Sequence, residues 1–396
     1  MARAEPLTPG VPAPADTTGA PAPADAAGAP APGPPPGAPP PGRRPRLPPK
    51  LNPVTLIKDL GGLSLYYPGQ KLVSRAPRRL LRPVSAAGGD LVRYLAAGGR
   101  EMREELRLLF RDRPLPRPES AIIRDAYREG MFNEIEVLRY PDLGPQSIDA
   151  TCVIEGREHL DAALALGKGA IVLIGHFGAN QMIMPALGHK GYPMNQLSAP
   201  PPVWADILRE TRTTPLWERV LARRWALEQR LPVQHINVFK FLRPAFDCLK
   251  ANQVLGLAFD GGGGQKWTEV RIVERTAHVS TQPVQLWRKT GAALLPTVVV
   301  RPPGERLHRV IIEPALQWQP VPGNRDEETR LNMQAFVDRF SAWVARYPDH
   351  YLQFLLHRRR VRATDIRPFF DDYPPLADQM TPEEAERHLR AAGDRT

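Results

Sequence analysis

Two short stretches hold residues whose types and spacing could do chemistry. The first is Gly175-His176-Phe177-Gly178-Ala179-Asn180-Gln181. It follows Ala170–Ile174, a continuous apolar run of the kind found in strands buried on both faces. A neutral imidazole at the end of such a strand can act as a general base. The flanking glycines let the backbone turn tightly and let a substrate come close. The turn into a following helix leaves N–H groups near Gly178 suited to an anion or oxyanion. The plainer reading is a structural His capping a strand. The second stretch is Asp260 with Gly261, Gly262, Gly263 and Gly264, after the apolar run 254–259. A carboxylate there would point toward the same sheet edge, where open α/β sheets bind ligands. The four glycines either cradle phosphate or form a turn.

Other chemistries lack their residues. There is no G-x-S-x-G nucleophile elbow and no G-x-x-x-x-G-K-[ST] phosphate loop. The nine His show no ligand spacing and no H-E-x-x-H occurs, so no metal site is expected. The run 356–362, Leu-His-Arg-Arg-Arg-Val-Arg, reads as a solvated or headgroup-facing basic patch.

The elements that must position these residues alternate from about residue 155. The pattern predicts helices over 158–166, 180–187, 241–251, 284–290 and 328–347, with Gly291 closing the fourth. It predicts strands over 170–174, 254–259, 293–300 and 310–312. A last helix opens at Thr381-Pro-Glu-Glu and ends at Gly393. Upstream, 51–150 reads as short helices with basic punctuation. In 100–113, Met102, Leu106, Leu109 and Phe110 share one face, and Arg100, Arg103, Arg107 and Arg111 form a neighbouring stripe. That arrangement suits either a helix lying on a membrane with snorkelling arginines or one packing its apolar side on the core.

Composition bounds the rest. Of the first 50 residues, 35 are Pro, Ala or Gly and none is Phe, Trp, Tyr or Ile, so the segment cannot bury enough to offset its ordering entropy. Residues 1–50 are therefore read as a disordered tail. The net charge is +11, and the tail holds only five positive and three negative residues, so the excess sits on the folded part. A basic surface prefers anionic partners, lipid headgroups among them. No nucleic-acid motif accompanies the charge, so a nucleic-acid partner is the weaker reading. Two cysteines make no disulfide framework and suit a reducing cytosol. No apolar run approaches the ~18 residues of a span, and no signal peptide is seen at the start.

Four stretches, in order, carry a resemblance. They are Ala165 to Gly178, Leu249 to Gly263, Thr281 to Pro296, and Tyr347-Pro-Asp-His-Tyr351 with His357-Arg-Arg359. Together they resemble the lysophospholipid and lipid A biosynthesis (lauroyl/myristoyl) acyltransferase family. The resemblance implies an α/β fold of glycerolipid-acyltransferase type: a central mixed, mostly parallel sheet flanked by helices, over 151–362. Residues 51–150 would form an N-terminal helical, membrane-associating region and 363–396 a helical tail. The implied activity is acyl transfer from acyl-CoA or acyl carrier protein to a hydroxyl of a lipid or glycolipid, with His176 as base. The expected place is peripheral, on the cytoplasmic face of the inner membrane, against an anionic surface. The expected substrate contacts are Gly178, Gly261, Gly262, Lys266, Arg271 and Arg275, with no metal or redox cofactor. One position departs from the family pattern: the residue five after His176 is Gln181, not Asp or Glu. Either Asp260 supplies the missing charge, or the protein is slow, or it is a lipid-binding homologue that lost catalysis. A carboxylate within ~3 Å of His176 Nδ1 would favour the enzyme.

Overall fold

The computed structural model describes residues 53–95, 99–111, 113–200, 214–238, 242–261, 266–360 and 368–373. The tail 1–50, Gly262 and the helix proposed after Thr381 lie outside the described residues.

Among the described residues, seven strands form one sheet. They are β1 (Cys152–Glu155), β2 (Ala170–Ile174), β3 (Met194–Ser198), β4 (Gln234–Asn237), β5 (Val254–Ala258), β8 (Ala293–Val300) and β9 (His308–Ile312). A separate antiparallel hairpin, β6 (Trp267–Ile272) with β7 (Arg275–Ser280), stands between β5 and β8 in the chain. The spatial order is β1-β9-β8-β2-β5-β3-β4. All neighbours run parallel except β8 and β9. The sheet is thus mixed and mostly parallel, as the alternating pattern implies. β2 sits inside it with every residue buried. Ile171 and Leu173 join one apolar cluster, while Ala170, Val172 and Ile174 join the other, so successive side chains face opposite layers. That two-sided burial is why the sequence here is continuously apolar.

Among the described residues, twelve α-helices accompany the sheet: α1 (Pro53–Ser64), α2 (Gln70–Arg75), α3 (Arg78–Leu95), α4 (Gly99–Phe110), α5 (Glu119–Val137), α6 (Arg157–Ala165), α7 (Ile183–His189), α8 (Pro215–Glu228), α9 (Arg243–Lys250), α10 (Gln282–Thr290), α11 (Arg325–Arg346) and α12 (Asp349–Arg360). α11 starts three residues before the expected helix because Asn324 caps it, its side-chain oxygen accepting from Glu327 N–H at 3.0 Å. The helix foreseen over 180–187 divides into a 3₁₀ turn, Asn180–Met182, and α7.

α4 settles between its two readings. Met102, Leu106, Leu109 and Phe110 are buried in the core with residues of α11 and α12. Arg103 and Arg107 are exposed, and both bond Glu119. The face read as membrane-ready is therefore taken by the core. α3 crosses α5 closely at Gly89, where a Cβ would stand 2.6 Å from Arg128 Cα. Only a residue without a side chain fits that crossing.

Candidate active site

His176 and Asp260 meet because of strand register. Ile174 of β2 pairs with Ala258 of β5 in the parallel ladder, and Phe259 N–H continues it to Ile174 O at 3.0 Å. Each chemistry-bearing residue lies two positions past that pair, so the two leave the sheet side by side. His176 Nδ1 is 2.7 Å from Asp260 Oδ1. The His176 backbone N–H also donates to the carboxylate, at 2.9 Å to Oδ2. Tyr351 of α12 donates its hydroxyl to Oδ2 at 3.0 Å. Asp260 is 0% exposed, so it faces the imidazole and its own donors and never solvent.

A carboxylate only accepts, so in the neutral ring Nδ1 carries the proton and Nε2 the lone pair. The imidazole lies flat on Phe354 of α12, 4.4 Å between ring centroids and 4° from parallel. Its side chain is 40% exposed, so the ring is gripped on one edge and open on the other. It lines a cavity of about 240 Å³ with Gly178, Gln181 and residues of α5 and α12. His357 is on the same helix. Desolvation first, then the charges of His176 and Arg358, lower its ring to about 4, although part of the residue reaches solvent.

The other expected residues divide. Gly178 lines the cavity in a left-handed conformation, φ +58°. Its N–H donates to His350 O at 2.8 Å, so that amide is committed to the fold and is not an oxyanion donor. A Cβ at Gly178 would stand 2.2 Å from Val299 O, so close packing demands glycine there. Gln181 also lines the cavity, but it turns to α8: Arg224 Nη2 donates to its Oε1 at 2.7 Å. Position 181 therefore does not orient His176.

Gly261 is described but away from the cavity lining, and a Cβ on it would meet nothing within 4 Å. Lys266 and Arg271 are exposed at the hairpin, Arg271 bonding Glu274 at 2.5 Å, and neither reaches the cavity. Arg275, expected as a free cation, requires correction. It is 1% exposed, bonds Glu105 and Asp372, and lies 3.7 Å over the Phe370 ring. A buried arginine must have its charge met inside, and here it joins α4 and the chain after α12 to the hairpin.

Residues missed from the sequence are Asn133 and Glu134 of α5 and Arg224 of α8, which line the cavity. Asn133 Nδ2 donates to Gly178 O at 3.0 Å and so braces the turn after His176. Arg224 is bonded to Glu134, Glu228 and Tyr66. Nothing in the spacing of 119–137 announced a wall of the site; α5 carries no motif, only polar residues one turn apart. Among the described residues no three His, Cys, Asp or Glu side chains are grouped so as to hold a metal ion. Burial pushes the Cys152 thiol up to about 12 and the Cys248 thiol to about 11, which keeps both protonated and poor nucleophiles.

The family described as bacterial lipid A biosynthesis acyltransferase matches the chain over residues 49–360, more than half of its length. No curated protein matches it.

Proposed function

The chain belongs to the bacterial lipid A biosynthesis acyltransferase family, and from that premise we propose that it moves a fatty acyl group from a thioester, on coenzyme A or acyl carrier protein, to a hydroxyl of a lipid or glycolipid. The acceptor hydroxyl gives its proton to His176 Nε2. Its oxygen bonds to the thioester carbonyl carbon, and the carbon–sulfur bond breaks. The leaving sulfur takes the proton back from Nε2, so an ester and a free thiol result. Asp260 holds the ring in the tautomer that makes Nε2 basic and steadies the imidazolium formed in between. The observation that carries this reading is the 2.7 Å contact between His176 Nδ1 and a wholly buried Asp260.

The second reading, a lipid-binding homologue without catalysis, draws on Gln181 in the family's acidic position. Against it stands the carboxylate that Asp260 supplies to the imidazole from another strand.

The reaction requires contact with a lipid surface, and the best-suited face is on α1 to α3. Leu56, Ile57, Leu72, Leu91 and Tyr94 are exposed there among Lys58, Lys71, Arg75, Arg79 and Arg93. Exposed apolar side chains interspersed along these helices with cations fit an anionic bilayer. Peripheral attachment to the inner membrane's cytoplasmic face belongs to the same proposal. Among the described residues no helix is long and apolar enough to cross a membrane.

Mass spectrometry of lipids from cells with the protein, without it and with only His176→Ala tests the reading. An acylated species present with wild type alone is expected. Identical lipids in all three would remove it.

A further inference from the structure

The segment Pro368-Phe369-Phe370-Asp371-Asp372-Tyr373 comes after α12 in the chain and lies past the residues matched to the family. Chain beyond the last helix of a domain is poorly ordered unless something ties it down. Here it is tied at several points. Phe369 O accepts from His278 N–H at 2.8 Å, and Asp371 N–H donates to Thr276 O at 3.3 Å, so Phe370 pairs antiparallel with Ala277 along β7. Asp371 bonds His278 Nε2, and Asp372 bonds Arg275. Tyr373 donates its hydroxyl to Glu105 of α4 at 3.1 Å. Phe369, Phe370 and Tyr373 are buried in the apolar cluster that also holds residues of α11 and α12.

The three aromatic rings have different partners. Phe370 and Tyr373 face the Arg275 guanidinium, 3.7 and 5.0 Å from their ring centres. Phe369 meets Phe354 of α12 edge-on, 6.3 Å between centroids at 82°. Phe354 is the ring on which the His176 imidazole lies flat. Contact therefore runs from Phe369 through Phe354 to the imidazole. Phe354 is only half-buried, because it also lines the cavity. An aromatic side chain in such a place has more than one staggered rotamer open to it unless neighbours occupy the others. Tyr351, one turn earlier on α12, lies against Phe354 at 5.5 Å and 28° from parallel, and Phe369 adds a directional edge-to-face contact. The imidazole has its Nδ1 on Asp260 and is 40% exposed. One side-chain hydrogen bond leaves a ring free to tilt, and a flat platform removes that freedom.

Resting on the acyl-transfer reading for the role of His176, we infer that Phe369 is a positioning residue of the active site: it fixes Phe354, and Phe354 fixes the plane of the imidazole and so the aim of Nε2. Phe369 does this without lining the cavity. Aim matters because proton transfer and attack both need aligned atoms, and a small misplacement caused far from the chemistry lowers the rate steeply.

The test uses the full chain, read by NMR with isotope-labelled histidine rings and by thiol release from lauroyl-CoA with dodecyl β-D-glucoside as the hydroxyl acceptor. The His176 signal is the one missing from His176→Ala. A ring proton over the face of a neighbouring aromatic is shielded, so Phe354→Leu should move that signal to higher frequency. Phe369→Ala should move it the same way by a smaller amount. Phe369→Leu, which keeps the apolar volume but not the edge-on ring, should move it by less again. Phe369→Ala should also lower kcat about ten- to a hundredfold with KM unchanged, the order that misplacement of a reacting group costs. Tyr373→Phe, which loses the bond to Glu105 in the same segment, should lower the melting temperature and leave the His176 signal and kcat as they were. Melting curves check folding, and where Phe369→Ala does not fold, Phe369→Leu decides. A His176 signal unmoved in the folded Phe369 variants, or moved as far by Tyr373→Phe, would overturn the inference. So would a signal that moves while kcat stays level. Transfer at the full rate in those cases leaves the acyl-transfer reading standing. Signals that move as expected in a protein that transfers nothing support the placement of the ring by Phe369 and count against the transfer reading alone.

Discussion

His176 has its Nδ1 on Asp260 and one face on Phe354, which leaves Nε2 for chemistry. Tyr351 bonds Asp260 but does not touch the reacting atoms, so it acts through the carboxylate. Tyr351→Phe should therefore lower kcat by about ten- to a hundredfold, the worth of one bond to a charged group, with KM unchanged. A loss as large as that of His176→Ala would place the tyrosine in the reaction itself. At this scale the sequence was informative where glycine and strand ends frame a residue: Gly175-His176 and Asp260 both stand out as polar residues ending apolar runs. Tyr351 stood inside the quoted Tyr347-to-Tyr351 motif, yet nothing gave its partner, because 91 positions separate it from Asp260. Arg224 and Glu134 were invisible for the same reason. Their meaning is a contact between α8 and α5 that no local spacing encodes.

Elements decide which residues meet. The β2–β5 register makes equal offsets from two strands coincide, and a one-residue slip would turn Asp260 to the other face. Strand existence was readable from apolar runs; strand order and register were not, since both arise from tertiary packing. The arginine stripe on α4 left two readings open, and burial of its apolar face decided between them. Asp349, the first residue of α12, ties that helix to the chain entering α5 through Arg117. Burial alone would raise its carboxyl, but the His350 bond and the charges of His350 and Arg117 outweigh it and hold the group below its ordinary 3.8. A carboxyl lower in the folded than in the unfolded state stabilises fully above the unfolded value and loses that stability as pH falls through the folded one. Asp349→Asn should therefore cost about 3–5 kcal/mol near pH 7, as breaking a buried pair does. The gap to wild type should narrow below pH 4. Denaturant melts at both pH values measure it, and an equal gap at pH 3 would contradict the ion-pair account.

At the scale of the whole molecule, apolar surface is unevenly placed. Among the described residues, eleven of the thirteen exposed large hydrophobic side chains lie between Leu56 and Leu95, on the N-terminal helices. Vesicles containing anionic lipid should float the protein, and 1 M salt, which shortens screening to ~3 Å, should weaken the attachment. Leu91→Glu/Tyr94→Glu should release it, whereas Arg103→Glu/Arg107→Glu should not, since those arginines pair with Glu119. Release by the second pair alone would put the membrane face on α4. The central claim is that a carboxylate from β5, and not position 181, completes the imidazole's chemistry. Thiol release from lauroyl-CoA with a hydroxyl acceptor tests it directly, in wild type, Asp260→Asn and Gln181→Glu. Asp260→Asn should lose about 10⁴-fold, as an amide does beside the histidine of a Ser-His-Asp triad, while Gln181→Glu stays level or falls. An Asp260→Asn protein that transfers acyl groups as fast as wild type would contradict it.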